Sequence, residues 1–165
     1  MYFTRFDSPL GEITVYSDGA ALCALHLTGQ KHGIPKGAAE EKAELLLFAV
    51  TKKWLKDYFD GRIPEEVPPL RLKGTQFQKD VWQALMKIPY GETLRYKDLA
   101  EQIAKHRGIK KMSAQAIGQA AGKNRILLLV PCHRLIGSDG SLTGFAAGIE
   151  RKRWLLEHEG IEYQK

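Results

Sequence analysis

Residues 126–134 read Ile126-Leu127-Leu128-Leu129-Val130-Pro131-Cys132-His133-Arg134. Five consecutive large aliphatic side chains predict a strand buried on both faces, and Pro131, which has no N–H to give a ladder, ends it. A thiol, an imidazole and a guanidinium follow at once. A cysteine at the mouth of a buried strand can serve as a nucleophile, and an adjacent histidine can raise its thiolate fraction. Cysteine is also among the most buried residue types, so one Cys-His pair does not displace the reading of a structural thiol. No further Cys or His cluster supplies the three or four ligands of a zinc site, and neither a metal nor another cofactor is expected.

Working outward, Ser113 predicts an N-cap for a helix over residues 114–121 that Gly122 closes. Ala114, Ala116, Gly118, Ala120 and Ala121 leave that helix almost bare of large side chains. Close packing against another helix explains this, and so does a surface that must press into a nucleic-acid groove; the residues alone do not choose. Upstream, Thr75 and Gln78 have capping-box spacing, and Val81, Trp82, Leu85 and Ile88 continue a helical stripe until Pro89-Tyr90-Gly91. A helix from Tyr96 to Lys105 then leads into the basic connector Lys105-His106-Arg107-Gly108-Ile109-Lys110-Lys111. Two short helices joined this way suggest a helix-turn-helix with an extended turn. Such a basic run also matches nuclear-localisation patterns by chance.

The first part of the chain reads differently. Residues 2–6 and 12–16 alternate apolar and polar around Ser8-Pro9-Leu10-Gly11, a strand–turn–strand pattern, and 21–27 is a third short apolar segment. Residues 38–59 predict one long amphipathic helix, with Leu45, Phe48, Ala49, Trp54, Leu55 and Phe59 on its stripe. Prolines 64, 68 and 69 mark a connection, so two domains are expected, 1–73 and 74–165. Cys23 and His26 fall in an apolar segment and read as core. The formal net charge is +6, but residues 1–72 hold 9 basic and 10 acidic side chains against 16 and 9 in 73–165. The whole positive excess therefore lies in the second part, where it can meet a polyanion or simply solvate a surface.

Composition narrows the class. Hydrophobic residues make up 44% and charged ones 27%, which argues against disorder, collagen and coiled coil. No apolar run approaches the roughly 18 residues of a membrane span, and residues 1–7 lack the order of a secretory signal. Two cysteines do not make a disulfide framework, so a reducing, cytoplasmic setting is expected with no membrane partner.

The chain resembles the O6-alkylguanine-DNA alkyltransferases, the methylated-DNA–protein-cysteine methyltransferases. The resemblance rests on Pro131-Cys132-His133-Arg134, on Asn124 eight residues before the cysteine, and on Gly140 through Gly148. It extends to Lys152, Leu155-Leu156 and His158-Glu159-Gly160, and back through Ile88-Pro89-Tyr90-Gly91-Glu92 to Tyr96. It implies an α/β (α+β) chain: a small N-terminal ribonuclease-H-like domain and a mainly helical, winged-helix-like DNA-binding domain carrying the reactive cysteine. It implies stoichiometric, irreversible transfer of an alkyl group from O6-alkylguanine, with O4-alkylthymine as a sibling substrate, onto Cys132 of a monomer. The partner implied is double-stranded DNA containing alkylated bases, with the target nucleotide rotated out of the stack.

Roles carry over residue by residue as implications of that resemblance. His133 would work through a bound water as base, with Glu159 holding it; Asn124 would brace the turn; the Tyr96 hydroxyl would meet N3 of the leaving guanine. Backbone at Cys132, Leu135 and Ala146 would meet the base edge. Ser113, Gln115, Ala116, Arg134 and Phe145 would contact DNA or substrate, the bare helix lying in the minor groove. The implied chemistry requires a Cys132 sulfur that is ionised and reachable.

The chain departs from the family at several positions. Gln115 stands where most members carry arginine, Arg125 where proline is usual, Phe145 for tyrosine and Ala147 for glycine. A methyl at 147 narrows the site, so bulky benzyl adducts should react more slowly than methyl ones. Three rival functions remain: a damage sensor that binds without transfer, which Cys132 argues against; a Cys132–His133–Glu159 hydrolase; and a plain helix-turn-helix regulator. Glutamine at 115 can hydrogen-bond an orphaned base but brings no cation. Gln115→Arg is therefore expected to bind duplex DNA more tightly or react faster; no change in either measurement refutes this account of the position.

Overall fold

Alternation of buried and exposed side chains sets the first sheet. Strand β1, Tyr2–Phe6, pairs antiparallel with β2, Ile13–Ser17, across a turn where Ser8 Oγ donates to Gly11 O at 2.6 Å. Ile13, Val15 and Ser17 point inward, while β3, Leu22–Leu27, is buried along nearly its whole length. The structure, a computed structural model, describes residues 1–30, 35, 37–142 and 144–163. Its compact units are Met1–Lys73 with Arg125–Leu129, and Gly74–Asn124 with Val130–Lys165.

The helix expected over residues 38–59 is shorter. Glu40–Glu41 forms a strand, β4, parallel to β1, completing a sheet of order β3-β2-β1-β4. Glu40 N donates to Met1 O and Lys42 N to Phe3 O, each at 3.0 Å, so the sheet edge takes backbone groups that a helix would have used. Helix α1 runs Leu46–Phe59 and buries Phe48, Thr51, Trp54, Leu55 and Tyr58. Ala49, placed on the apolar stripe, is exposed, and Cys23 of β3 lies in the core.

Residues 126–130 are all buried, as their composition demands, but they are not a strand. Leu25 N donates to Arg125 O at 2.9 Å, and Leu25 pairs with Ile126 in a single parallel bridge. The chain then turns: Leu129 N donates to Leu127 O, and Leu128 adopts φ 72. A left-handed leucine costs about 1–3 kcal/mol, an amount offset by burying its side chain. An apolar run specifies burial; it does not specify extended backbone.

The second unit is mainly helical. Helix α2, Gln76–Leu85, begins with the expected capping box: Thr75 Oγ1 accepts from Gln78 N at 3.1 Å and Gln78 Oε1 from Thr75 N at 3.0 Å. A two-residue strand β5, Leu94–Arg95, leads straight into α3, Tyr96–Arg107, which Gly108 closes in the left-handed region at φ 68. Helix α4, Ala114–Gly122, is capped by Ser113, whose Oγ accepts from Ala116 N at 3.0 Å. Strand β6, Leu135–Ile136, pairs parallel with β5, and α5 spans Ile149–His158.

The packing explanation for the bare α4 holds on one of its faces. Ile117, Ala120 and Ala121 are buried, and Trp82 Nε1 of α2 donates to Ala120 O at 2.9 Å, an approach that only small residues permit. Ala114, Gln115, Gln119 and Gly122 remain exposed. Thr75→Ala should lower the unfolding free energy by about 1 kcal/mol, with recovery in Thr75→Ser. Urea denaturation of the three proteins checks this, and equal midpoints would show that the box contributes nothing.

Candidate active site

Cys132 opens a single 3-10 turn, Cys132–Arg134, and only 8% of its surface is exposed. Its backbone N donates to Val130 O at 2.8 Å. The Asn124 side chain stands over the same place: Nδ2 donates to Val130 O at 2.9 Å and to Cys132 Sγ at 3.3 Å. One amide thus clamps the two ends of the 125–129 segment and hands a hydrogen bond to sulfur. Burial pushes the Cys132 thiol up from its usual range, while the Asn124 bond and the Lys152 charge pull it back in part. Desolvation is the largest of these effects, so the surroundings favour the protonated sulfur.

Glu159, just past the end of α5, is the hub. Its Oε2 lies 2.6 Å from His133 Nε2, and its Oε1 accepts from Arg134 Nε at 2.8 Å and from Gly91 N at 3.0 Å. Burial would raise this carboxyl, but the bonds from His133, Arg134 and Gly91 outweigh it and hold Glu159 at about 2. An ionised carboxylate only accepts, so His133 Nε2 carries the shared proton. Burial lowers the His133 pKa and keeps the ring neutral, with Nδ1 as its basic nitrogen. That Nδ1 is buried and without a hydrogen-bond partner among the described residues.

Arg134, expected at the DNA or substrate surface, is turned inward. It is 8% exposed, and besides Glu159 it reaches Ile88 O through Nη1 at 2.8 Å. The buried carboxylate and an open carbonyl at the end of the 85–88 turn capture a cation that sequence reading sends outward. Leu135 lies beside the thiol. Its N–H donates to Cys132 O and its carbonyl accepts from Lys152 Nζ at 2.6 Å, so its backbone is engaged within the site.

Lys152 carries part of the resemblance but was given no role from the sequence. It is fully buried, its Nζ lies 6.0 Å from the centre of the Tyr96 ring, and burial lowers its pKa to about 8, with Cys132 pulling it back up. The signal was present: Lys152, Leu155, Leu156 and Glu159 follow helical spacing, which places a lysine and a glutamate on one apolar stripe. The β5–β6 pairing sets Leu94 beside Leu135, so the chain enters Tyr96 from one strand and leaves Arg134 into the other. The Tyr96 ring lies beside Gly118 of α4, where an added Cβ would sit 3.4 Å away. Phe145 meets His133 edge-on with ring centroids 6.5 Å apart, and Ala146 beside it is half-buried. Gln115 and Ser113 are exposed and Ala116 half-buried. Thr143 lies outside the described residues. Among the described residues no three His, Cys, Asp or Glu side chains gather to hold a metal ion.

Comparison with known proteins identifies the family. Residues 1–73 match the model of the 6-O-methylguanine DNA methyltransferase ribonuclease-like domain, and residues 76–161 that of the same family's DNA binding domain. The chain belongs to the 6-O-methylguanine DNA methyltransferase family. The Methanosarcina barkeri methylated-DNA–protein-cysteine methyltransferase is 40% identical over 161 residues, covering 96% of this chain and 97% of that one. The Haemophilus influenzae protein of the same name is 35% identical over 164 residues, covering 99% and 88%. Among solved structures, Mycobacterium tuberculosis OGT in complex with DNA aligns with a TM-score of 0.86 at 39% identity, covering 96% of this chain and 92% of that chain. The fold is accordingly the family's: an N-terminal sheet domain and a C-terminal helical DNA-binding domain.

Glu159 ties stability to acid. Its folded pKa is depressed, so its contribution is present above the unfolded value of 4.5 and lost as pH falls through about 2. The loss should be on the order of 3 kcal/mol. Unfolding free energies of wild type and Glu159→Gln, measured from pH 6 to 2, should converge toward low pH. Parallel curves would contradict the assignment.

Proposed function

We propose that this protein repairs DNA by moving the alkyl group of O6-methylguanine onto its own Cys132. The observation that carries the reading is the neutral, buried His133, fixed through Nε2 by ionised Glu159 so that the basic Nδ1 belongs to the residue next to the thiol. Membership of a methyltransferase family supports the same conclusion.

The chemistry follows from the charges. The Cys132 proton passes through a water to His133 Nδ1, and the imidazolium is stabilised by Glu159 in the manner of hydrolase triads. Asn124 and the Lys152 ammonium favour the sulfur anion as it forms. Sulfur attacks the methyl carbon, the S–C bond forms, the C–O6 bond breaks, and its electron pair stays with the guanine. The Tyr96 hydroxyl hydrogen-bonds N3 of the departing base, and guanine takes up the proton that balances the step. A thioether does not hydrolyse, so each molecule acts once.

The target carbon lies inside the duplex, so the nucleotide is everted, at a cost of roughly a few kcal/mol that a poorly paired lesion lowers. The exposed face of α4, with Gln115 and small neighbours, suits a minor groove that must be approached closely and read weakly. A thiol that must stay reduced supports work in the cytoplasm, and among the described residues no helix is long and apolar enough to cross a membrane.

Intact-mass measurement after incubation with a duplex bearing O6-methylguanine tests the reading. One addition of about 14 Da is expected, absent in Cys132→Ala. Tight binding with no mass change would instead identify a damage sensor, and repeated turnover on esters without labelling a hydrolase.

A further inference from the structure

We propose that the lysines of the α3–α4 connector form a track for the DNA phosphate backbone, an interface additional to α4 itself; this rests on the repair reading. The basic run divides into two faces. Arg107 Nη1 lies 3.6 Å from Asp80 Oδ2 and its guanidinium sits 5.4 Å over the Phe77 ring, so α2 absorbs this cation. His106 lines a separate hollow together with Asp80 and Gln83.

Lys105, Lys110 and Lys111 instead join Lys97 around a groove of about 570 Å³. The rest of its lining is mostly small or apolar, including Ala100, Ala104, Ile109 and Ala114, the first residue of α4. One carboxylate, Glu101, shares the groove with the four lysines. All four lysines are exposed, and none is in an ion pair among the described residues. By contrast, Lys53 and Lys56 of α1 and Arg62 just beyond its end are tied to Asp57 and Asp60.

Like charges gathered without partners repel one another unless a polyanion neutralises them. The connector between α3 and α4 spans residues 108–113, longer than the usual three- or four-residue turn, and the extra length carries Lys110 and Lys111. DNA that receives the start of α4 in its minor groove presents backbone phosphates beside that helix, and lysines on the adjoining rim meet them. The track also returns cations to a DNA face where position 115 is an uncharged glutamine.

The slope of log affinity against log salt counts such contacts at about 0.9 per neutralised phosphate. The triple variant Lys105→Gln, Lys110→Gln, Lys111→Gln should bind duplex DNA with a slope shallower by about 2.7, and the double variant at 110 and 111 by about 1.8. A fourfold rise in salt should then cost wild type roughly 40 times more affinity than it costs the triple variant. Arg107→Gln should keep the wild-type slope. Thermal unfolding midpoints of the two lysine variants should match wild type, which reads the fold apart from binding. A normal wild-type slope shared by both lysine variants overturns the track and leaves the repair reading standing. A wild type with no salt-dependent DNA binding sinks both.

Discussion

The site is organised around one buried carboxylate. Glu159 would be too costly to ionise inside the protein without partners, and three donors supply them: the His133 ring, the Arg134 guanidinium and the Gly91 amide. Each bond also performs a second task. The first selects the imidazole tautomer, the second draws Arg134 inward to hold Ile88 O, and the third pins the turn that leads to β5 and Tyr96. Remove the charge and the ring orientation, the turn and the guanidinium all lose their reason at once.

The sulfur sits in the opposite balance. Burial that protects Cys132 from stray reaction also withholds its negative charge, and Asn124 with Lys152 returns only part of what desolvation takes. A thiol held protonated at rest and assisted on demand suits a group that can be used once. Lys152 is itself poorly solvated, with a pKa near 8, so the anion on sulfur and the cation on nitrogen each make the other less costly.

Division of faces recurs outside the site. Helix α4 puts Ile117, Ala120 and Ala121 against the core and leaves Gln115 and Gln119 outside, so one set of small residues serves packing and access together. The basic connector divides in the same way, Arg107 satisfied by Asp80 and the lysines without ion-pair partners among the described residues. Charge density along a chain says how many cations there are; the neighbours decide which of them stay available.

Local signals were legible in the sequence because their partners lie within a few residues. The Thr75–Gln78 box, the Ser113 cap and the β1–β2 alternation all depend on near contacts, and family resemblance singled out the residue types at 132, 133, 124 and 159. What only the tertiary structure decided involves partners distant in sequence. Glu40–Glu41 became a strand because β1 offered an edge, and residues 126–130 turn after a single bridge from Ile126 to Leu25. Arg134 turned inward and Lys152 was buried for the same reason. A long side chain's direction is set by which remote carboxylate or carbonyl occupies the space it can reach, and no local pattern of apolar and polar residues encodes that.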